Sequence, residues 1–332
     1  MRSTCALYVD AGYLLAAAAT RVTGTSLRSG IAVRYAQLAD ALIARAEDAA
    51  GLPLLRLHWY DSARGGIPDT TQQEIGLLSR VKLRLGRVGF NGEQKGVDLR
   101  IGLDMVAHAR HRASDVFILV SGDDDLTEAV EEAQAHGVQV IVLAIPDREG
   151  LAHGVSAHLQ RAADAVEVFD GALVDENVSK RSMVDTAADA IPTPALLGGH
   201  RAPSAASAPA ASAASARTPG PRVPARSVDL VYSSATGAIP TQLSRPADDP
   251  ETIAQIDRVC AQVLTSWLRG GGVGRVHDLQ AGRPSIPREV DRALLIDLSD
   301  VRGEYDLSDA IRFQLRDRFW HVVDTHDGAR AG

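Results

Sequence analysis

Residues 116–126 read Val-Phe-Ile-Leu-Val-Ser-Gly-Asp-Asp-Asp-Leu. Five consecutive apolar side chains end abruptly at Ser121-Gly122 and three carboxylates, Asp123, Asp124 and Asp125. A run this short and this uniformly apolar predicts a strand buried on both faces. Such strands belong to parallel sheets covered by helices, and those sheets collect ligands at the carboxyl ends of their strands. The acids therefore fall where a site is expected.

The same rhythm extends in both directions. Cys5 to Val9 is a short apolar run that closes on Asp10, followed by Ala11-Gly12-Tyr13 and an Ala-rich stretch. Asp10 interrupts the apolar run and Arg2 alone is a weak charged leader, so a strand and helix are expected here rather than a signal peptide. Tyr35 to Ala50 has helical spacing, with Leu38, Leu42, Ile43 and Ala46 on one face. Leu54 to Tyr60 predicts a second strand, Gln72 to Leu85 a helix and Arg87 to Phe90 a short strand. Val97 to Arg110 is helical, with Ile101, Met105 and Val106 inward, and Leu126 to His136 is a helix stopped by Gly137. Val138 to Ile145 and Val166 to Phe169 are further strands. The expected fold class is α/β, with a central, mainly parallel sheet between helical layers.

Composition divides the chain into three parts. Residues 1–181 carry the α/β pattern. Residues 182–249 are rich in Pro, Ala, Ser and Gly, with no acidic residue between Ile191 and Ser227, and predict a disordered linker. Residues 250–326 are helical again. Asp249-Pro250-Glu251 is a helix start, and Ile253, Ile256, Cys260, Val263, Leu264 and Trp267 form an apolar stripe that ends at Gly270-Gly271-Gly272. Pro287 to Leu298 and Ser308 to Val322 predict two more helices, open between a bundle and a winged helix. Such a module offers a docking or self-association surface.

Hydrophobic residues make up 45% of the 332, enough for a real core, while a net charge of −7 excludes a protein that coats nucleic acid over its whole surface. Cys5 and Cys260 are too few for a disulfide framework or a zinc site, and two reduced thiols fit the cytoplasm. No stretch approaches the roughly 20 apolar residues of a membrane span.

Three acidic positions carry chemistry. Asp10 and Asp123 end apolar strands, and Asp98 follows Lys95-Gly96-Val97 in the first turn of a helix. If the two strands are neighbours, their carboxylates converge, repel one another and favour a cation. An oxygen-only donor set suits Mg²⁺ or Mn²⁺, and such an ion assists attack of water on a phosphodiester. Each acid also has a plainer use, as a helix cap or a partner of a helix dipole. Asp104, six residues beyond Asp98, is rotated by about 240° on a helix and does not share its face.

The order Val9-Asp10-Ala11-Gly12-Tyr13, Lys95-Gly96-Val97-Asp98, Ser121-Gly122-Asp123-Asp124-Asp125 and Gly137-Val138-Gln139-Val140 resembles a bacterial NYN domain of the LabA-like group. The resemblance covers roughly residues 4 to 170. It implies a PIN-like three-layer fold and metal-dependent endoribonuclease activity. The implied metal and catalytic acids are Asp10, Asp98, Asp123 and Asp125. Asp104 also matches an acidic position of the family pattern and joins the metal set on that ground alone. The resemblance sets Lys95 beside Asp98 as a phosphate contact, and Tyr13, Ser121 and Arg64 complete the expected substrate contacts. Tyr13 departs from the pattern, since many NYN domains carry Asn there, and a Tyr offers no amide carbonyl to a metal or its water.

Between Arg80 and Arg112 there are eight basic residues against three acidic ones, a candidate groove for an RNA backbone. His108 and His111 lie three apart and read as a solvated face rather than a metal pair. Residues 270–274 lack the Lys-Ser/Thr of a phosphate-binding loop. Two rival functions remain: a non-catalytic RNA-binding or regulatory scaffold, and a phosphohydrolase of small esters, for which an Asp-x-Asp-x-Thr element after the first strand is missing.

Overall fold

The computed structural model describes residues 3–88, 94–181, 249–269, 279–304 and 307–328. The expected linker, 182–249, lies outside the described residues save for its last position. The described residues all belong to one compact unit.

The apolar runs pair as parallel strands. The sheet is ordered β5 (Gln94–Lys95), β4 (Val81–Val88), β3 (Leu54–Arg64), β1 (Cys5–Asp10), β6 (Val116–Val120), β7 (Gln139–Ala144) and β8 (Ala165–Val168), with only β5 antiparallel. From β1 the chain first builds outward through β3 and β4, then returns to the other side of β1 to add β6, β7 and β8. The strand order therefore reverses at β1, and a reversal of this kind opens a crevice at the carboxyl ends of the two flanking strands. The register pairs Cys5 with Val116 and Val9 with Val120, so Asp10 and Ser121 leave the sheet at the same level.

Alternation along the strands feeds two cores. Leu7, Val9, Ile118, Val120 and Trp59 pack on one face with α1 (Ala11–Thr23) and α2 (Tyr35–Ala50). Tyr8, Tyr60, Phe117, Leu119 and Val140 pack on the other with α4 (Val97–Arg110) and α5 (Thr127–Ala135). All five residues of β6 are buried, as a strand with helices on both sides requires. No helix of the described residues is long and apolar enough to cross a membrane.

Two expectations fail outside the centre of the sheet. Gln72 to Leu85 is not one helix. α3 ends at Leu77 after starting at Thr70, Arg80 turns the chain with φ of 63°, and β4 begins at Val81. Val81, Leu83 and Leu85 fit a two-residue period as well as a helical one, and β3 settles the choice by pairing with β4 from Leu57↔Val81 to Arg64↔Val88. The strand expected at Arg87 is the end of β4. After β8 the chain adds α7 (Gly171–Asn177) and β9 (Val178–Lys180), which pairs antiparallel with β2 (Ile31–Val33). These strands are three residues long, too short for a periodicity to show.

The helices Pro250–Arg269, Arg288–Arg302 and Asp309–Gly328 follow, with no strand among the described residues of this region. Ile256, Cys260, Val263, Leu264 and Trp267 are buried as the apolar stripe requires. Leu27, from the loop after α1, is buried in this same core. Beside it Ser26 N–H donates to Asp297 Oδ1 at 2.9 Å, and His153 Nε2 lies 3.4 Å from Asp300 Oδ2.

Asp297 makes this seam sensitive to pH. Burial pushes its carboxyl from 3.8 up to about 7, opposed by the Ser26 donors and reinforced by Asp300, which faces His153. Its Oδ2 is buried without a hydrogen-bond partner among the described residues. A raised acid contributes its full stability below the unfolded pKa and loses it as pH rises through the folded one. The loss runs from about 4 to about 7, with an upper bound on the order of 4 kcal/mol. Asp297→Asn is expected to raise the melting temperature at pH 8 and to flatten this part of the stability profile. A variant that is less stable than the parent at pH 8 contradicts the assignment.

Candidate active site

The crevice at the strand-order reversal holds a cavity of about 230 Å³ lined by Asp10, Asp98, Asp123, Asp61, Gly12 and Arg292, among others. Asp10 ends β1 and caps α1, with Oδ1 accepting the Gly12 N–H at 2.7 Å. Ser121 Oγ donates to its other oxygen at 3.4 Å and accepts the Asp123 N–H at 3.3 Å. Asp123 in turn caps the turn before α5 through the Asp125 N–H. Asp98 arrives from the opposite direction. Gly96 takes φ of 90°, a conformation that favours glycine, and turns the end of β5 into α4, which sets Asp98 in the first helical turn.

The electrostatics are those of crowded carboxylates. Burial pushes Asp10 upward, against the pull of Arg28, the Gly12 and Tyr13 amides and Arg292. Burial also raises Asp98, and the Asp10 and Asp125 carboxylates add to it while Arg292 opposes. Asp123 is raised by burial and by Asp98, Asp125 and Asp124, against the Asp125 amide. Each shift marks charge that a cation would relieve.

The expected residues divide into groups. Asp10, Asp98 and Asp123 share the cavity. Asp125 is exposed at its rim, close enough to raise its two neighbours. Asp104 does not line the cavity. Its carboxylate takes two hydrogen bonds from Arg84, at 2.6 and 2.7 Å, and one from Tyr60 at 3.0 Å. Burial alone would raise it, but these donors hold it below the usual carboxylate range. Tyr13 spends its hydroxyl on the backbone, donating to the His153 carbonyl at 2.7 Å and accepting the Ile145 N–H at 3.1 Å. It ties the loop after β7 to α1. Ser121 is fully buried and orients Asp10 and Asp123. Arg64 closes β3 and Lys95 closes β5, but their side chains lie outside the described residues.

Three cations of the basic stretch are engaged by acids of the chain itself. Arg80 pairs with Glu47, Arg84 with Asp104 and Arg110 with Glu132. His108 is not on a solvated face: its Nδ1 meets the Tyr8 hydroxyl at 2.8 Å and its ring lies 4.8 Å from that of His58.

Three residues of the site escape the sequence reading. Asp61 lies within β3, after a stretch that Arg56 and His58 interrupt, so the uniform apolar run that marks Asp10 is missing there. Its Oδ2 accepts from the Gln72 amide at 2.8 Å. Arg28 and Arg292 carry no local signal. Both reach Gly12, where a Cβ would lie 2.8 Å from Asp10 Oδ1, 2.9 Å from Arg28 Nη2 and 3.5 Å from Arg292 Nη2. Glycine is the one residue that leaves this space open. Arg28 Nη2 is buried without a hydrogen-bond partner among the described residues, and burial followed by the neighbouring Arg292 lowers its pKa.

The donor chemistry fits Mg²⁺ or Mn²⁺, because every candidate ligand is a carboxylate oxygen. The carboxylates line one cavity without meeting at a point: among the described residues no three Asp, Glu, His or Cys side chains are placed to share one ion. Mg²⁺ commonly uses one or two carboxylates and keeps several waters, which suits such a spread set.

An α/β protein with a strand-order reversal at an acidic crevice belongs to a class that places its ligands there. A family model of the NYN domain matches residues 5–170, half of the chain, and this protein belongs to that family, within the PIN-like nuclease superfamily. It is similar to "Uncharacterized protein y4oD" of Sinorhizobium fredii (strain NBRC 101917 / NGR234), with 38% identity over 120 residues, 36% of this chain and 55% of that protein. The chain thus matches about half the length of this curated relative.

Proposed function

We propose that the protein is a metal-dependent endoribonuclease of the LabA-like group, cutting RNA at the Asp10–Asp98–Asp123 cavity. The observation that carries this reading is the convergence of three upward-shifted carboxylates and two guanidinium groups in one crevice. Asp10, Asp98 and Asp123 would hold Mg²⁺ or Mn²⁺, with Asp125 reaching it through water. When bound, the ion offsets charge building on the phosphate and favours ionisation of an attacking water. Arg28 offers its orphan N–H to a phosphate oxygen, and Arg292 faces the same space from the C-terminal helices. Ser121 donates to the Asp10 carboxylate and accepts the Asp123 backbone N–H, so it ties the Asp10 side chain to the backbone that carries Asp123 before substrate arrives. RNA is the partner under this reading, and the two free thiols agree with a cytoplasmic setting.

The spread of the carboxylates favours a second reading, an RNA-binding scaffold without cleavage. Incubation of a labelled single-stranded RNA with the purified chain in Mn²⁺, in Mg²⁺ and in EDTA separates the two. Cleavage in either metal, lost in EDTA, is the expected result. RNA retained intact but bound, in every condition, rejects the hydrolase in favour of the scaffold.

A further inference from the structure

A second cavity, of about 400 Å³, opens where the Pro250–Arg269 helix packs beside the end of α1. Five cations line it: Arg148, Lys180, Arg181, Arg258 and Arg269. Among its lining residues there is neither Asp nor Glu, in a chain whose net charge is −7. The cations come from three distant segments, the loop after β7, the end of β9 and the C-terminal helix. Lys180, Arg258 and Arg269 are exposed, and none forms an ion pair with a described residue. Folding has gathered like charges, and beside Lys180, Arg258 and Arg269 it has set no described counter-ion, an arrangement that an anion would relieve.

The shape favours a chain of phosphates over a single one. Arg258, Gln262, Thr265 and Arg269 follow one another at helical intervals of four, three and four, on the face opposite the buried stripe. Eleven residues of helix extend about 16 Å, against the roughly 3.4 Å between phosphates along a stacked strand. The cleft is also close to the acidic cavity. Gly30 lines it, and Arg28, two residues earlier, reaches Gly12 beside Asp10. Two residues of backbone span at most about 7 Å, and the Arg28 side chain bridges the remainder. Among the described residues that line the cleft none is aromatic, so they offer no stacking platform for bases.

We propose that this cleft is a backbone-binding track for single-stranded RNA, built jointly by the NYN domain and the first C-terminal helix. It rests on the endonuclease reading in one respect: the strand it grips is the one whose scissile phosphate enters the acidic cavity. Because it meets phosphates and not bases, it binds without sequence preference.

The test reads binding rather than cleavage. Anisotropy of a labelled 20-nucleotide RNA is followed with the full chain in EDTA over a range of salt concentrations. The parent is compared with Arg258→Ala/Arg269→Ala and with the charge-preserving Arg258→Lys/Arg269→Lys. Both positions are exposed, and equal melting temperatures check the fold. The alanine pair is expected to weaken binding about tenfold at low salt and to reduce the salt slope by about 1.4, at roughly 0.7 per phosphate contact, while the lysine pair keeps the parent slope. Oligonucleotides of scrambled sequence are expected to bind alike. Equal affinity and slope in the parent and the alanine pair overturn the track. So does poly-glutamate that displaces RNA at equal charge concentration, which assigns the cleft to acidic peptides. A parent that binds through these arginines but never cuts rejects the nuclease alone; one that cuts, with affinity blind to them, rejects the track alone.

Discussion

Asp123→Asn is expected to lower metal-dependent RNA cleavage about a thousandfold while raising the melting temperature of the metal-free protein. A cation that offsets several kcal/mol of transition-state charge loses most of that effect when one of its carboxylates becomes neutral, and each 1.4 kcal/mol is tenfold in rate. The stability gain follows from the same crowding. Burial and the charges of Asp98, Asp125 and Asp124 all disfavour an ionised Asp123 in the folded chain. A neutral amide of the same shape removes that repulsion and still accepts the Asp125 N–H. Asp10→Asn should behave alike in cleavage, since Asn also caps helices well. Cleavage rates are read at saturating Mn²⁺ beside thermal melts in EDTA. Retained cleavage sinks the assignment of these acids. Lost cleavage with a markedly lower melting temperature means that the side chain was structural.

Gly122→Ala is expected to have the largest effect on folding of any single methyl addition at the site. A Cβ at this position would lie 1.7 Å from the Gly154 carbonyl oxygen and 2.9 Å from the Tyr13 ring. The backbone must retreat, which breaks the Ser156 N–H bond to the Gly122 carbonyl and displaces both Ser121 and Asp123. Overpacking of this severity costs about 3 kcal/mol or more. The melting temperature should fall by several degrees, with cleavage lost even below the transition. An alanine variant that melts with the parent contradicts the close approach of these two loops. The glycine of Ser-Gly-Asp is thus required for its missing side chain: its neighbour is a backbone carbonyl that cannot rotate away.

Local sequence made the centre of this protein legible. Fully apolar runs ending in Asp10 and Asp123 gave the buried strands and the direction of the ligand edge, because burial on both faces leaves a signature five residues long. Gly96 before Asp98 was equally local. Asp61 lacks this signature, because Arg56 and His58 break the run before it and β3 continues past it to Arg64. The NYN resemblance brought these acids to one place before any strand order was known.

Tertiary structure decided what depended on neighbours distant in the chain. Residues 81–85 became a strand because β3 offered hydrogen-bond partners that outweigh a periodicity shared with helices. Arg84 left the expected RNA groove because Asp104, twenty residues on, lies against it across β4 and α4. Arg292 entered the acidic cavity, Arg28 came to lie beside Gly12 at its wall, and five scattered cations formed a cleft, as the C-terminal helices docked around Leu27. Burial is written in the spacing of neighbouring residues, so the sequence by itself determined the strands and their terminal acids. Charge acts through space between side chains of any separation, so only the folded chain could decide which charges are paired, which are confined together and which remain for a ligand.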